Sequence, residues 1–156
     1  MGTRYTGTKE ETRALNAFIK LIRAAQSVSG RVEAHLTELG LTVSQFGVLE
    51  ALFHLGPLNQ KSLAAKILKS TGNITMVIDN LEKRGLVKRT RDENDRRHYS
   101  VGITPKGAGL IASFFPKHVA RIVEEMSVLS GAEQDALGSM CKKVGLGGHG
   151  GPAVKD

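Results

Sequence analysis

The chain has 156 residues, enough for one domain with extended arms, and its 40% apolar and 24% charged residues are typical of a globular protein. No apolar run approaches the roughly 18 residues of a membrane span, so we expect no membrane partner, and the polar N-terminus predicts no signal peptide. The single cysteine, Cys141, excludes an internal disulfide framework and favours a reducing, cytoplasmic location.

The formal charge of +7 is concentrated in the middle third of the chain. Residues 58–106 hold 11 of the 22 basic residues but only 5 of the 15 acidic ones, which places +6 of the charge there. Such a concentration favours a polyanionic partner, either nucleic acid or an anionic surface. A basic but merely solvated surface is the alternative at this point.

Helical periodicity dominates the first third of the chain. Apolar residues recur at spacings of three and four over residues 10–39, and Gly40 follows as a stop, so we expect one long amphipathic helix. Thr42 and Gln45 have the spacing of a capping box, which predicts the start of a second helix that ends near Gly56.

Two short helices are predicted next. Asn59 is a suitable N-cap for a helix over residues 60–68, and Ser70 for another that ends before Gly85. Their tight connection is typical of a helix-turn-helix. The second of them has an apolar face made of Ile74, Val77, Ile78 and Leu81. Its opposite face carries small and amide side chains, which suit a helix that enters the major groove of DNA.

The hydrophobic period changes from 3.6 to 2 after Gly85, which predicts a β-hairpin with strands over residues 86–90 and 97–103. The polar tip between the strands is rich in arginine. Arginine is favoured in narrow A·T-rich minor grooves, where the negative potential is enhanced. The sequence therefore predicts that the hairpin is a DNA-contacting wing.

We predict a mainly α protein with a small β-hairpin wing, in one domain over residues 1–144. A winged helix-turn-helix lobe over residues 42–103 lies between long helices over residues 10–39 and 104–144. Residues 145–156 contain 5 of the 18 glycines and are expected to form a flexible tail.

Five segments, residues 41–46, 72–75, 81–89, 95–97 and 104–107, resemble the MarR (multiple-antibiotic-resistance regulator) family of bacterial transcription factors. The resemblance extends over about residues 10–144. It implies a homodimer, formed through the first and the last two helices, that binds a pseudo-palindromic operator in double-stranded DNA. In the family the wing tip is shaped by two residues that match Asp95 and Arg97, and Arg97 matches the one that enters the minor groove.

We expect DNA contacts from the start of the third helix, from the recognition helix and its preceding turn, and from the wing. The residues are Asn59, Gln60, Lys61, Ser70, Thr71, Gly72, Asn73, Thr75, Met76, Lys83, Arg84, Arg89, Arg91, Asp95, Arg96 and Arg97. Met76 departs from the family, which often has a basic residue there. We therefore expect an apolar contact with a thymine methyl group at that place.

Many family members release DNA when a small aromatic acid, phenol or quinone binds between the dimerisation helices and the DNA-binding lobe. The resemblance thus implies a repressor with a small phenolic or quinone-like effector. Candidate ligand-binding residues are His35, Phe46, Leu49 and Phe53, for which plain core packing is the alternative.

No nucleophile elbow, phosphate loop or paired acid–base motif occurs, so we expect no enzyme. The histidines and Cys141 lack metal-ligand spacing, so we expect no metal site and no cofactor. Cys141 lies on an apolar stripe, which predicts a buried, inert thiol. Two other function classes stay open, an architectural DNA-binding protein without an effector and a winged-helix protein–protein adaptor. The arginine-rich wing favours DNA binding over the adaptor.

Overall fold

A computed structural model describes residues 4–67, 71–91 and 99–147. The elements in chain order are α1 (Lys9–Glu33), a 3-10 helix (Ala34–Leu39), α2 (Val43–Leu55), β1 (Leu58–Asn59), α3 (Gln60–Lys66), α4 (Thr71–Lys83), β2 (Val87–Arg91), β3 (Tyr99–Ile103), α5 (Pro105–Met126) and α6 (Gly131–Leu146). This arrangement of helices around a small antiparallel sheet confirms the predicted fold class.

The ends of the helices follow the predicted signals. The Thr42 hydroxyl accepts the N–H of Gln45 at 3.2 Å, and the Gln45 side chain accepts the N–H of Thr42 at 3.0 Å, which closes the capping box of α2. The Asn59 side chain caps α3. Gly40 and Gly85 have φ angles of 58° and 69°. Few residues other than glycine adopt such angles, so each glycine terminates the preceding helical segment.

The first helix is shorter than predicted. α1 ends at Glu33, and the chain tightens into the 3-10 helix before Gly40. His35 and Leu36 on this tighter turn both point into the core, with only 6% and 2% of their surface exposed. Spacings of three and four fit both helix types, so the apolar stripe could not show where one replaces the other.

The three strands pair in the order β1-β3-β2. The β2–β3 hairpin is the predicted one, with Arg89 opposite Val101. β1 pairs with the other edge of β3, where Leu58 lies opposite Val101. Sequence periodicity did not predict β1, because two residues are too few to show an alternation.

One apolar core holds the helix-turn-helix lobe together. Ile74, Ile78 and Leu81 are fully buried and Val77 is partly buried, which confirms the predicted inner face of α4. The same core cluster includes the large side chains of Leu36, Leu41, Phe46, Leu49, Leu52, Leu63, Leu86, Ile111 and Phe114.

The start of α5 is fixed against the base of the sheet. Thr104 donates its N–H to the carbonyl of Leu86 at 3.1 Å and its hydroxyl to the carbonyl of Gly85 at 2.7 Å. Gly107 follows in the first turn of α5, where a Cβ atom would lie 2.2 Å from the Leu86 oxygen. Only glycine therefore allows this close approach.

α1 and α6 border an apolar groove of about 560 Å³. Its walls include Phe18, Leu21, Leu137, Met140, Cys141 and Val144. Every residue of α6 is exposed in the single chain, Cys141 included, so the prediction of a buried thiol is wrong for one copy. The apolar stripe that carries Cys141 exists, but it faces outward. Among the described residues, no helix has the length and apolarity needed to cross a membrane.

Candidate nucleic-acid interface and buried histidine pair

The outer face of α4 is open to solvent, whereas its inner face is sealed in the core. Gly72, Asn73, Thr75 and Met76 are exposed in its N-terminal half, Met76 to 64%, and Lys83 is exposed in its last turn. The structure thus brings these predicted contact residues onto one helix. Uncharged side chains at the start and a cation at the end fit base edges flanked by phosphates.

The start of α3 lies beside this face. Gln60 donates a side-chain hydrogen bond to the hydroxyl of Thr75, which connects the two helices of the helix-turn-helix. Asn59 uses its side-chain oxygen to cap α3, and Lys61 is exposed. Of these three predicted contact residues, one therefore caps a helix, one links α3 to α4 and one faces solvent.

Arg89 on β2 is engaged by two carboxylates of α4. Its guanidinium donates to Glu82 at 2.6 Å and to Asp79 at 2.5 Å, and its main-chain N–H donates to Glu82 at 2.9 Å. Burial would lower the pKa of Arg89, but the hydrogen bonds to Asp79 and Glu82 outweigh it and the pKa is raised. The predicted contact residue therefore joins the recognition helix to the wing.

Arg84 also makes contacts within the protein. Its guanidinium donates to the carbonyl oxygens of Gly40 at 2.8 Å and Leu39 at 3.1 Å, where the 3-10 helix ends. Its own carbonyl accepts a hydrogen bond from Lys106 at 2.9 Å. Arg84 thus ties the end of α4 to the junction between α1 and the helix-turn-helix lobe.

Arg91 lies at the base of the wing, where its Nε donates to the hydroxyl of Tyr99 on the opposite strand at 2.9 Å. The guanidinium carbon lies 5.5 Å from the centre of the Tyr99 ring. Thr71 begins α4. Ser70, Asp95, Arg96 and Arg97 lie outside the described residues, so their predicted DNA contacts stay predictions.

Two of the four ligand candidates meet in a buried aromatic cluster. The His35 ring stacks on Phe114 with 4.9 Å between the ring centres, and Phe46 lies 4.7 Å from His118. Leu49 is fully buried in the adjoining core. Phe53 is exposed and contacts His54, which in turn contacts Phe115 of α5. The structure thus gathers His35, Phe46 and Leu49 but places Phe53 at the outer edge.

His35 and His118 form a buried pair across 83 positions of sequence. His118 Nδ1 lies 3.3 Å from His35 Nε2, so one imidazole donates to the other. The second nitrogen of His35, Nδ1, is buried and has no hydrogen-bond partner in the structure. Burial lowers the pKa of His118, and the neighbouring His35 lowers it further. The folded chain therefore favours the neutral form of His118.

Sequence reasoning did not pair the two histidines. The sequence signal for His118 was its place on the apolar stripe of α5, but no local spacing relates it to His35 on another element. Within the described ranges, no group of three or more His, Cys, Asp or Glu side chains is placed to hold a metal ion.

The exposed recognition helix, the basic hairpin and the flanking long helices define a winged helix-turn-helix DNA-binding protein. The model of the MarR family matches residues 41–99. The HTH-type transcriptional regulator MhqR of Bacillus subtilis is 40% identical over 134 residues, which cover 86% of this chain and 92% of MhqR. The chain therefore belongs to the MarR family, whose members are transcription regulators and not enzymes.

Solved structures share the fold. BpsR of Bordetella bronchiseptica is 26% identical with a TM-score of 0.75, over 82% of this chain and 97% of BpsR. Sco3205 of Streptomyces coelicolor, a MarR family regulator solved in complex with DNA, is 20% identical with a TM-score of 0.80, over 93% and 92% of the two chains. At that identity the likeness to Sco3205 shows the fold alone.

Proposed function

We propose that this regulator is a homodimeric repressor that reads a pseudo-palindromic operator and is released by a small phenolic or quinone-like effector. The observation that carries the proposal is the burial of one face of α4 and the exposure of the opposite face. Ile74, Ile78 and Leu81 are fixed in the core, while Thr75 and Met76 face outward beside the wing. A helix held in this way presents the same side chains at every encounter, as sequence-specific reading requires.

Each half-site is read by two elements. The N-terminal half of α4 lies in the major groove, where Thr75 and Met76 meet base edges. Arg97 is proposed to enter the flanking minor groove, and Asp95 and Arg96, its near neighbours in sequence, remain further proposed contacts. Lys61 and Lys83 are placed to contact phosphates and fix the register.

A second copy covers the apolar groove between α1 and α6. Phe18 and Met140 there are 61% and 58% exposed in the single chain, which is costly for large apolar side chains in water. An obligate interface of this kind buries on the order of 2,000 Å² or more. The dimer places two recognition helices about one helical turn apart on one side of the duplex, at the chromosome in the bacterial cytoplasm.

The effector site is proposed at the His35–His118 pair. A buried nitrogen without a partner costs roughly 1–3 kcal/mol, and a phenolic hydroxyl supplies the bond that His35 Nδ1 lacks. The rings of Phe46 and Phe114 make the surroundings of the pair apolar and aromatic, which favours an aromatic ligand. The DNA binding of the relative BpsR is regulated by 6-hydroxynicotinic acid. This supports a small hydroxylated aromatic ligand.

Footprinting on DNA recovered from genome-wide binding tests the reading mode. We expect two half-sites about 10 base pairs apart, or a multiple of that distance. Arg97→Ala should weaken operator binding by about 1–3 kcal/mol, mostly on operators with A·T-rich flanks. Thr75 and Met76 variants should change the preferred central bases instead. A single half-site, or parental binding by Arg97→Ala, contradicts the proposal.

Release by ligands tests the effector site. A panel of simple phenols, hydroxybenzoates and quinones is titrated into the preformed operator complex, and transcription from the operator is followed in parallel. We expect release and renewed transcription with the parent, and a weaker response in His35→Phe at equal ligand-free affinity. An equal response of both proteins places the effector elsewhere. Transcription that falls on release identifies an activator.

A further inference from the structure

We propose that Arg89 is a positioning residue that clamps the wing to the recognition helix, and that it acts through Asp79 and Glu82 without touching DNA. The proposal deepens the DNA-reading role given above and rests on it. It departs from the simple reading of a basic wing, in which every arginine is a phosphate contact.

The contacts of Arg89 form a closed, three-way link. Two of its guanidinium nitrogens reach two carboxylates that lie three residues apart on the same side of α4. The second oxygen of Glu82 accepts the main-chain N–H of the same arginine. Three hydrogen bonds thus connect β2 to α4. Charge-assisted bonds of this kind are shorter and stronger than neutral ones.

The environment of the arginine also favours the clamp over a DNA contact. The side chain of Arg89 is 23% exposed, whereas those of Asp79 and Glu82 are 46% and 39% exposed. The carboxylates are thus more accessible than the cation that they hold. An arginine that reached for a phosphate would leave both of these carboxylates without their partner.

The clamp has an electrostatic consequence for the recognition helix. Asp79 and Glu82 are acidic residues on the element that is proposed to approach a polyanion. Arg89 offsets one of their two charges at bonding distance, which reduces the repulsion of the helix by the DNA backbone. The acidic residues of α4 are thereby made compatible with DNA binding.

The clamp lies at the point of β2 that sets the angle between the hairpin and the core. Arg89 lies opposite Val101, which is 1% exposed, so this point of the hairpin is anchored in the core. Arg91, two residues further on, is exposed at the base of the wing. A rotation of β2 at Arg89 therefore changes how the wing leaves the core, and with it the distance between the major-groove and minor-groove contacts.

Arg89→Lys separates the two roles, because lysine keeps the charge but loses the planar fork that holds two carboxylates. The clamp predicts that Arg89→Lys and Arg89→Ala both lose operator affinity by about tenfold, within the range of contacting pairs. The slope of log affinity against log salt concentration should stay parental in Arg89→Lys. Lys88→Ala, the exposed neighbour on β2, is the matched control for a simple loss of charge.

A double-mutant cycle with Glu82→Ala checks that the two residues act as one unit. The double variant should bind operator about as well as the weaker single variant, since both remove the same link. Near-parental binding by Arg89→Lys or additive losses in the cycle overturns the clamp in favour of a phosphate contact.

Hydrogen exchange in the free protein gives a readout that does not need DNA. The amide of Arg89 and its neighbours on β2 should exchange faster in Arg89→Lys, while the core of α4 keeps its protection. If the parent fails to bind any operator, the DNA-reading proposal fails, but faster exchange still reports the link between β2 and α4. Unchanged exchange in Arg89→Lys overturns the clamp itself.

Discussion

The buried imidazole pair is the feature of single residues with the clearest consequence for solution behaviour. His35 and His118 share one hydrogen bond at 3.3 Å, in which one ring must donate and the other accept. Protonation of the accepting ring would place two donors face to face. The bond between the 3-10 helix and α5 therefore needs one ring whose nitrogen is unprotonated and accepts.

This requirement makes stability depend on pH. The folded chain holds the pKa of His118 below its ordinary value of 6.5, chiefly through burial and then through His35. The unfolded chain takes up the proton first as the pH falls, so stability is full above about pH 6.5 and decreases below it. When the pH is lowered from 7.5 to 5.5, we expect the urea midpoint of the parent to fall. The midpoint of His118→Phe should fall by less.

An exposed histidine gives the control for that comparison. His54→Gln, which replaces an exposed histidine on α2, is the control for the loss of a histidine side chain. Identical pH dependence in His118→Phe and the parent contradicts a lowered pKa of His118 in the folded chain.

Glycine substitutions in α5 test the packing of this helix on the sheet. Gly107→Ala should destabilise the fold by roughly 2–4 kcal/mol, because its Cβ would lie 2.2 Å from a main-chain oxygen. Gly109→Ala, two residues further on, meets nothing within 4 Å and should stabilise the helix by about 0.5–1 kcal/mol. Thermal unfolding of the two variants measures the contrast, and equal midpoints would contradict the close approach.

At the scale of elements, α4 ends at Lys83, and a second basic residue, Arg84, follows it in different surroundings. Lys83 is exposed, whereas Arg84 donates to the carbonyl groups of Leu39 and Gly40 at the junction with the 3-10 helix. From charge and position in the sequence, both residues are predicted to contact DNA. The observed contacts give Arg84 a structural role, and Lys83 remains the proposed phosphate contact.

Substitutions of Lys83 and Arg84 should therefore have different effects on stability and on DNA binding. Arg84→Ala should lower the free energy of unfolding by about 1–3 kcal/mol, as the loss of charged hydrogen bonds does. Lys83→Ala should leave stability unchanged and reduce the salt slope of DNA binding by up to about one unit. Urea unfolding and DNA titration of both variants measure the difference. A reduced salt slope in Arg84→Ala would show that Arg84 contacts phosphate after all.

Most elements could be predicted from the sequence, because their signals are local. Thr42 with Gln45, the glycine stops and the face of Ile74, Ile78 and Leu81 each lie within one helix or at its end. The two-residue strand β1 and the replacement of α1 by a 3-10 helix carry no distinct local period. The site partners were harder still. The contacts of Arg84 and of the histidine pair join residues far apart in sequence, and only the tertiary fold brings them together.

For the whole molecule, the exposed apolar groove between α1 and α6 is the surface that we propose a second copy covers. We expect Met140→Glu to weaken the proposed dimer, because it places a charge in the centre of an apolar interface. Leu55→Glu is the control, since Leu55 is equally open at 55% exposure but lies on α2, outside the groove. Sedimentation at micromolar concentration should show twice 16.8 kDa for the parent and the control. A folded parental monomer contradicts the dimer.

Equilibrium binding to operator DNA and to a scrambled duplex of equal length, followed from about 50 to 200 mM salt, tests the regulator most directly. We expect two chains per operator, a preference over the scrambled duplex of about 10³ or more, and a loss of roughly 10³ in affinity across the salt range as bound counterions are released. Equal affinity for both duplexes would contradict sequence-specific reading by α4. An affinity that does not change with salt would contradict the basic, phosphate-contacting lobe.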